Sequence, residues 1–319
     1  MAEAVSSANA RTGYAIGLRT TSACTVVLLL AASLTAAQEP ADGLKLVNQG
    51  RRLNAAGKQP DAIRLYEQAL AIDPNLFEGH LAMGIALDLE GRYADARGHL
   101  TRAVALAPPE SKVTALNAMA VSYAFERKAD QGAEFYRQAY DLESAERPAS
   151  AAEAANALGR LYLESGNTKQ ARRWYETGYE TARRQRDEPA SQLDLWQFRW
   201  LHAQARIAAR DGHRRDSRTK LAEAKALVAK SPSLQDQATA LAYLTGYVEL
   251  YAGDAQAALA ALSGADQQDP FVVMLEARAA EKTGDHTKAQ EFWRAVLTFN
   301  GHSLQNAFAR PEAQQRVRP

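Results

Sequence analysis

The stretch FEGHLAMGIALDLEGRYADARGHLTRAVALAP, residues 77–108, sets a pattern that most of the chain copies. Its marks are His80, Met83-Gly84, Leu87, Gly91, Ala96, Leu100, Ala103 and Pro108. The same marks stand 34 residues earlier as Leu46, Gln49-Gly50, Leu53, Gly57, Ala62, Tyr66, Ala69 and Pro74. Gly84 and Ala96 are small where two helices would cross, so their backbones approach closely. Leu87 and Leu100 fill the space beside the crossing. Gly91 ends the first helix at a turn, and Pro108 cannot continue the second.

A 34-residue period with these residues resembles the tetratricopeptide repeat (TPR), a helix-turn-helix unit. The resemblance implies an all-α fold, a right-handed α-solenoid of about seven units whose first helices line a concave wall. A third unit fits Leu116, Met119-Ala120, Tyr123, Gly132, Tyr136 and Ala139. A fourth fits Leu158-Gly159, Tyr162, Gly166, Ala171, Tyr175 and Gly178. Residues 186–197 are extra to the period and mark either lengthened helices or a joint between two sub-arrays. Trp196 and Trp200, four apart, share a helical face and read as core at that place. The fifth unit is degenerate (Leu201, Gln204-Ala205, Gly212, Ser217, Leu221). The sixth recovers the pattern with Gly246, Gly253, Ala258, Leu262 and Pro270, and a seventh fits Ala277, Ala280, Gly284, Ala289 and Trp293. Units one to four thus occupy 38–185 and units five to seven 198–303. Residues 304–319 read as a polar C-terminal tail, a cap followed by a loose end.

The first 37 residues read as a secretory signal peptide. Arg11 and Arg19 precede an apolar run over 23–34, and Thr35-Ala36-Ala37 offers a small-residue cleavage site before Gln38. The expected location is therefore periplasmic or secreted, with membrane contact only through this segment if it stays uncleaved. Cys24, the one cysteine, lies inside it, so the remaining chain has no disulfide framework and no thiolate chemistry. Without residues 1–37 the formal charges balance, but 160–220 holds fourteen Lys or Arg against eight Asp or Glu. That local excess points to an acidic partner. Overall neutrality together with export argues against nucleic acid.

No catalytic constellation is present in the sequence: no G-x-S-x-G, H-E-x-x-H, phosphate-binding loop or dinucleotide fingerprint. Neither a cofactor nor a metal site is expected. His80 falls at a packing position, and His99, His213 and His286 read as solvated. What remains is the concave wall, which the TPR resemblance builds from first-helix positions away from the small-residue crossing. Those positions hold Leu81, Ile85 and Leu89 in unit two, and Asn156 and Arg160 in unit four. Unit five contributes Arg199, His202, Arg206 and Arg210, and unit six Tyr243, Tyr247 and Tyr251. Each stripe has a structural alternative. The leucines could pack on neighbouring units, the arginines could be a solvated face paired with Glu164 or Asp194, and the tyrosines could be inter-repeat packing. A two-carboxylate clamp, familiar in the family, is disfavoured because its places hold Val47, Arg51, Ala82, Thr114 and Ala118.

The resemblance therefore implies a non-enzymatic interaction scaffold that holds a peptide or protein segment in an open concave groove, in envelope assembly or secretion. Anionic-polymer binding and self-assembly are the alternatives.

Overall fold

The computed structural model describes residues 40–144, 147–184 and 189–317. The expected signal segment, 1–37, lies outside the described residues. Among them are fifteen α-helices, two short 3-10 turns and no strand. Fourteen of the helices form seven antiparallel pairs: α1 (Pro40–Ala55) with α2 (Gln59–Ile72), α3 (Phe77–Leu89) with α4 (Tyr93–Leu106), and α5 (Lys112–Phe125) with α6 (Ala129–Ser144). Next come α7 (Pro148–Glu164) with α8 (Thr168–Arg183) and α9 (Ala190–Arg210) with α10 (Arg214–Lys230). The last pairs are α11 (Ala238–Ala252) with α12 (Ala255–Leu262) and α13 (Pro270–Thr283) with α14 (His286–Val296). The fold is an all-α solenoid, as the 34-residue period implies.

The crossing within each pair works more tightly than the spacing alone suggests. Leu100 does not sit beside Gly84 but directly over it: a Cβ added to Gly84 would lie 2.6 Å from Leu100 Cγ. Tyr175 covers Gly159 in the same way, at 2.7 Å. Unit three reverses the arrangement. Ala120 stands on the first helix and Gly132 on the second, where an added Cβ would meet the Ala120 carbonyl oxygen at 2.9 Å. Each of these three crossings keeps one glycine, and either helix can supply it.

The turns inside the pairs are equally regular, with Gly57, Gly91, Gly166, Gly212, Gly253 and Gly284 all at positive φ. Unit three again departs, placing Arg127 at φ 60°, where a side chain costs about 1 kcal/mol or more. Its guanidinium lies 4.8 Å over the Phe308 ring, and Nη2 donates to the Phe308 carbonyl at 3.0 Å. A contact far along the chain holds the strained turn.

That contact belongs to α15 (Leu304–Arg316), which corrects the expected loose tail. Ser303 caps the helix by accepting from the Asn306 amide, and Leu304, Ala307, Phe308, Ala309 and Ala313 are buried. The helix packs against α5, α7, α13 and α14. Arg310 Nε donates to the carbonyl of Leu89 at 3.1 Å, satisfying a terminal acceptor of α3. Arg278 grips Glu312, His302 Nε2 lies 2.8 Å from Asp88, and Gln59 donates to Asn300 at 3.0 Å. The array curls until its last unit meets its first ones, and α15 fills part of the space inside. The expected open groove is therefore closed along part of its length.

The extra residues resolve as a lengthened first helix. Of 186–197, residues 190–197 form the start of the 21-residue α9, while 185–188 lie outside the described residues. Trp196 is buried with Ala152 of α7 and Ala182 of α8, and Trp200 stacks on Tyr179 of α8 at 5.9 Å. Both tryptophans are packing residues.

Candidate functional site

Inside the curl a cavity of about 1020 Å³ remains, walled by α5, α6, α7, α8, α9, α11 and α13 and stopped at one end by the first turn of α15. Of the expected wall residues, Asn156, Arg160, Arg199, His202, Arg206 and Tyr243 line it. They come from three first helices that the repeat sets side by side.

The other six expected residues are elsewhere. Leu81 packs with Leu100 and Met119, and beside Ile85 it borders a smaller cavity near Asn300. Leu89 is fully buried in the cluster that includes Phe308. Tyr247 is likewise fully buried, with its hydroxyl 3.4 Å from Glu164, and Arg210 donates to the Tyr251 hydroxyl at 2.8 Å. Leu89 and Tyr247 are thus corrected from groove to core, because helices that face each other across a tight curl bury what an open wall would expose.

The arginine stripe divides the same way. Glu164, 5% exposed, lies 3.6 Å from Arg206 and 3.4 Å from Arg210. This is the pairing with Glu164 that the sequence left open. Asp194 meets Ser233 instead. Arg206 is only 6% exposed and also donates to the Tyr175 hydroxyl at 2.9 Å. Such a buried cation persists only because its partners compensate the lost hydration. Arg199, nearer the mouth, pairs with Glu153 and lies 4.8 Å over Trp196.

Tyr175, Asp269 and the start of α15 are site residues that the sequence reading missed. Tyr175 holds a repeat packing position, so its second task, orienting Arg206, was masked by the first. Asp269 caps α13 by accepting from the Phe271 amide, and it lies 4.0 Å from Arg160. Arg160 in turn stands 5.1 Å over the Phe271 ring.

His202 stacks on Tyr243 at 5.4 Å, and burial, then the Arg206 and Arg160 cations, hold its pKa well below the usual value. His99, expected to be solvated, instead meets His80 with Nδ1 to Nδ1 at 3.1 Å, and burial again lowers its pKa. A histidine with a depressed folded pKa is neutral in the fold. Its contribution is complete above the unfolded pKa of about 6.5 and is lost as pH falls below it. Glu276, whose carboxyl burial pushes up to about 7, works in the opposite direction. The clean observable is therefore a difference between variants. Between pH 7 and pH 5, wild type should lose up to about 2 kcal/mol more stability than His202→Gln in urea unfolding. Equal losses would mean that His202 is charged in the fold.

A TPR repeat family model matches residues 50–88, and a tetratricopeptide repeat model matches residues 152–184. The first match runs from the end of α1 through α2 and α3, and the second covers the α7–α8 pair with its Gly159–Tyr175 crossing. The chain carries tetratricopeptide repeats. Its structure resembles the apo form of RapI at 13% identity, covering 86% of this TPR chain and 98% of that one, with a TM-score of 0.54. A tetratricopeptide repeat protein from Parabacteroides merdae matches at 13% identity, over 81% and 93% of the two chains, with a TM-score of 0.49. Pseudomonas aeruginosa PilF matches at 15%, over 80% and 97%, with a TM-score of 0.45. No curated protein matches the sequence. TPR proteins are in general non-enzymatic scaffolds for protein–protein interaction. Among the described residues of this TPR chain, no group of three His, Cys, Asp or Glu is placed to hold a metal, and no helix is long and apolar enough to cross a membrane.

Proposed function

We propose that this protein is an exported scaffold that receives an acidic segment of a partner protein in the inner cavity, in envelope assembly or secretion. The observation that carries this reading is the cavity itself, the part of the inner wall that α15 leaves unfilled. Its walls combine aromatic area from Tyr136, Tyr175 and Phe198 with the cations Arg160 and Arg206. Rigid aromatic faces beside a few charges are how binding surfaces gain affinity without much side-chain entropy. Because α15 stops one end, a partner enters as a loop, a side chain or a terminus rather than as a strand lying along the whole wall.

The excess positive charge over 160–220 is divided between two faces. Arg160 and Arg206 face the cavity, whereas Arg214 and Arg215 are exposed at the start of α10. Only the first group serves this role. A photo-crosslinking side chain placed at Thr239, exposed on the cavity lining, should capture a partner in cell-envelope extract, and one at exposed Lys225 on α10 should not. Arg199→Glu should weaken that capture and flatten its salt dependence. Equal capture at both positions would overturn the cavity as the contact surface. Arg206 is unsuited to charge reversal, since it is built into the fold through Glu164.

A further inference from the structure

The base of the cavity holds hydrogen-bond donors that the fold leaves unused. Arg160 Nε and Nη2, Arg206 Nε and the Tyr243 hydroxyl are all buried without a hydrogen-bond partner. They come from α7, α9 and α11, and all three residues line the same cavity. Buried donors are nearly always satisfied, and a donor left over in a native fold calls for an explanation. Here the donors belong to residues that line one cavity, and their side chains are held in place. Tyr175 and Glu164 fix Arg206, Phe271 supports Arg160, and His202 stacks on Tyr243.

The charges around this base can be counted element by element. Arg160, Arg206 and Arg210 face Glu164 and Asp269. The remaining acids on the lining are engaged or peripheral: Glu153 with Arg199, Glu143 with Arg147, and Asp266 exposed at the rim. His302 is engaged with Asp88, and His202 is neutral. Of the three arginines, Arg160 and Arg206 line the cavity, and the unused donors on them and on Tyr243 suit the oxygens of a carboxylate. The first turn of α15, Ser303, Leu304 and Gln305, also borders the cavity and adds the positive end of a helix dipole. Around the donors stand Tyr136, Phe198 and Val272, which suit an apolar group next to the acid.

We infer that Arg160, Arg206 and Tyr243 form a binding site for one carboxylate that carries an apolar, preferably aromatic, neighbour. This deepens the proposed function by naming what the cavity would grip. The acid can be presented by a partner chain or be a free organic acid. The site uses units four to six and shares no residue with the clamp places of units one to three.

The test uses the full chain and four probes in calorimetric titrations: N-acetyl-Ala-Ala-Phe as free acid and as amide, and 3-phenylpropanoate with its amide. Each acid that binds should do so at least about tenfold more tightly than its amide, because a charge-assisted hydrogen bond is roughly twice as strong as a neutral one. Tyr243→Phe should lose about tenfold in acid binding while its melting temperature stays unchanged, since the hydroxyl has no partner in the fold. Arg160→Gln should lose at least as much and leave the amides unaffected. The peptide acid binding more tightly than 3-phenylpropanoate assigns the carboxylate to a partner chain, and equal affinities assign it to a free acid. Acids and amides binding alike, neither acid binding, or Tyr243→Phe binding as wild type does would each overturn the site and leave the donors to water. Crosslinking from Thr239 with no acid preference would remove this inference alone. Acid preference without crosslinking would remove the scaffold reading alone.

Discussion

Replacing Glu164 with alanine is expected to destabilise the protein by about 3–5 kcal/mol, although the residue is not on the cavity lining. The carboxylate is 5% exposed and stands between Arg206 and Arg210, with Tyr247 directing its hydroxyl at it. Removing it leaves two cations without their carboxylate, one of them almost wholly buried. The cost is dominated by uncompensated charge and not by lost contact area. Glu164→Gln should therefore fall between wild type and alanine, since an amide oxygen still accepts from the arginines and Tyr247 but carries no charge. A double variant that also replaces Arg206 with Met should recover part of the loss, giving a coupling energy of the sign that marks a direct interaction. Urea unfolding of five proteins, the single Arg206→Met variant included, measures all three effects. A loss below about 1 kcal/mol for Glu164→Ala would place the cluster in the solvent-screened regime of surface pairs.

Phe308→Ala is the second large effect, again about 3–5 kcal/mol. The ring is fully buried on α15, in one apolar cluster with Leu89, Phe125, Leu161 and Phe271, and Arg127 lies across it. Truncation opens a void where α5, α7 and α13 meet the C-terminal helix. It also removes the ring under Arg127, leaving that side chain its hydrogen bond to the backbone carbonyl at 308. Arg127→Gly separates these contributions, because glycine relieves the turn while losing only the guanidinium contacts, so its net cost should be much smaller. Urea midpoints of the two variants should differ accordingly. Similar losses would mean that the aromatic packing of α15 adds little.

The helix pairs were legible in the sequence because their determinants are local and periodic. Gly84 with Leu100, or Gly159 with Tyr175, lie sixteen residues apart and repeat. Even unit five, with Ala205 and Ser217 at its crossing, forms the same pair, since small residues suffice there. The inner wall was half legible. Arg160, Arg206 and Tyr243 occupy the expected first-helix face, but periodicity says which residues share a face and not what stands opposite. Tyr247 meets Glu164 across 83 positions, and Arg310 meets Leu89 across 221. Such contacts depend on how tightly the array curls, a small rotation per unit summed over seven units. The helix α15 itself had a local signature: the Ser303 cap and Leu304, Ala307 and Phe308 on one face. Glu312, Gln314, Gln315 and Arg316 gave the stretch a polar composition that outweighed it.

As an integral part of the inner wall, α15 turns an open groove into a bounded cavity. Amide hydrogen exchange of residues 304–316 in the full chain tests this directly. Exchange as slow as that of α7 and α13 is the predicted result. Exchange within seconds, at the rate of an unstructured peptide, would return the segment to a loose tail and open the wall along its whole length.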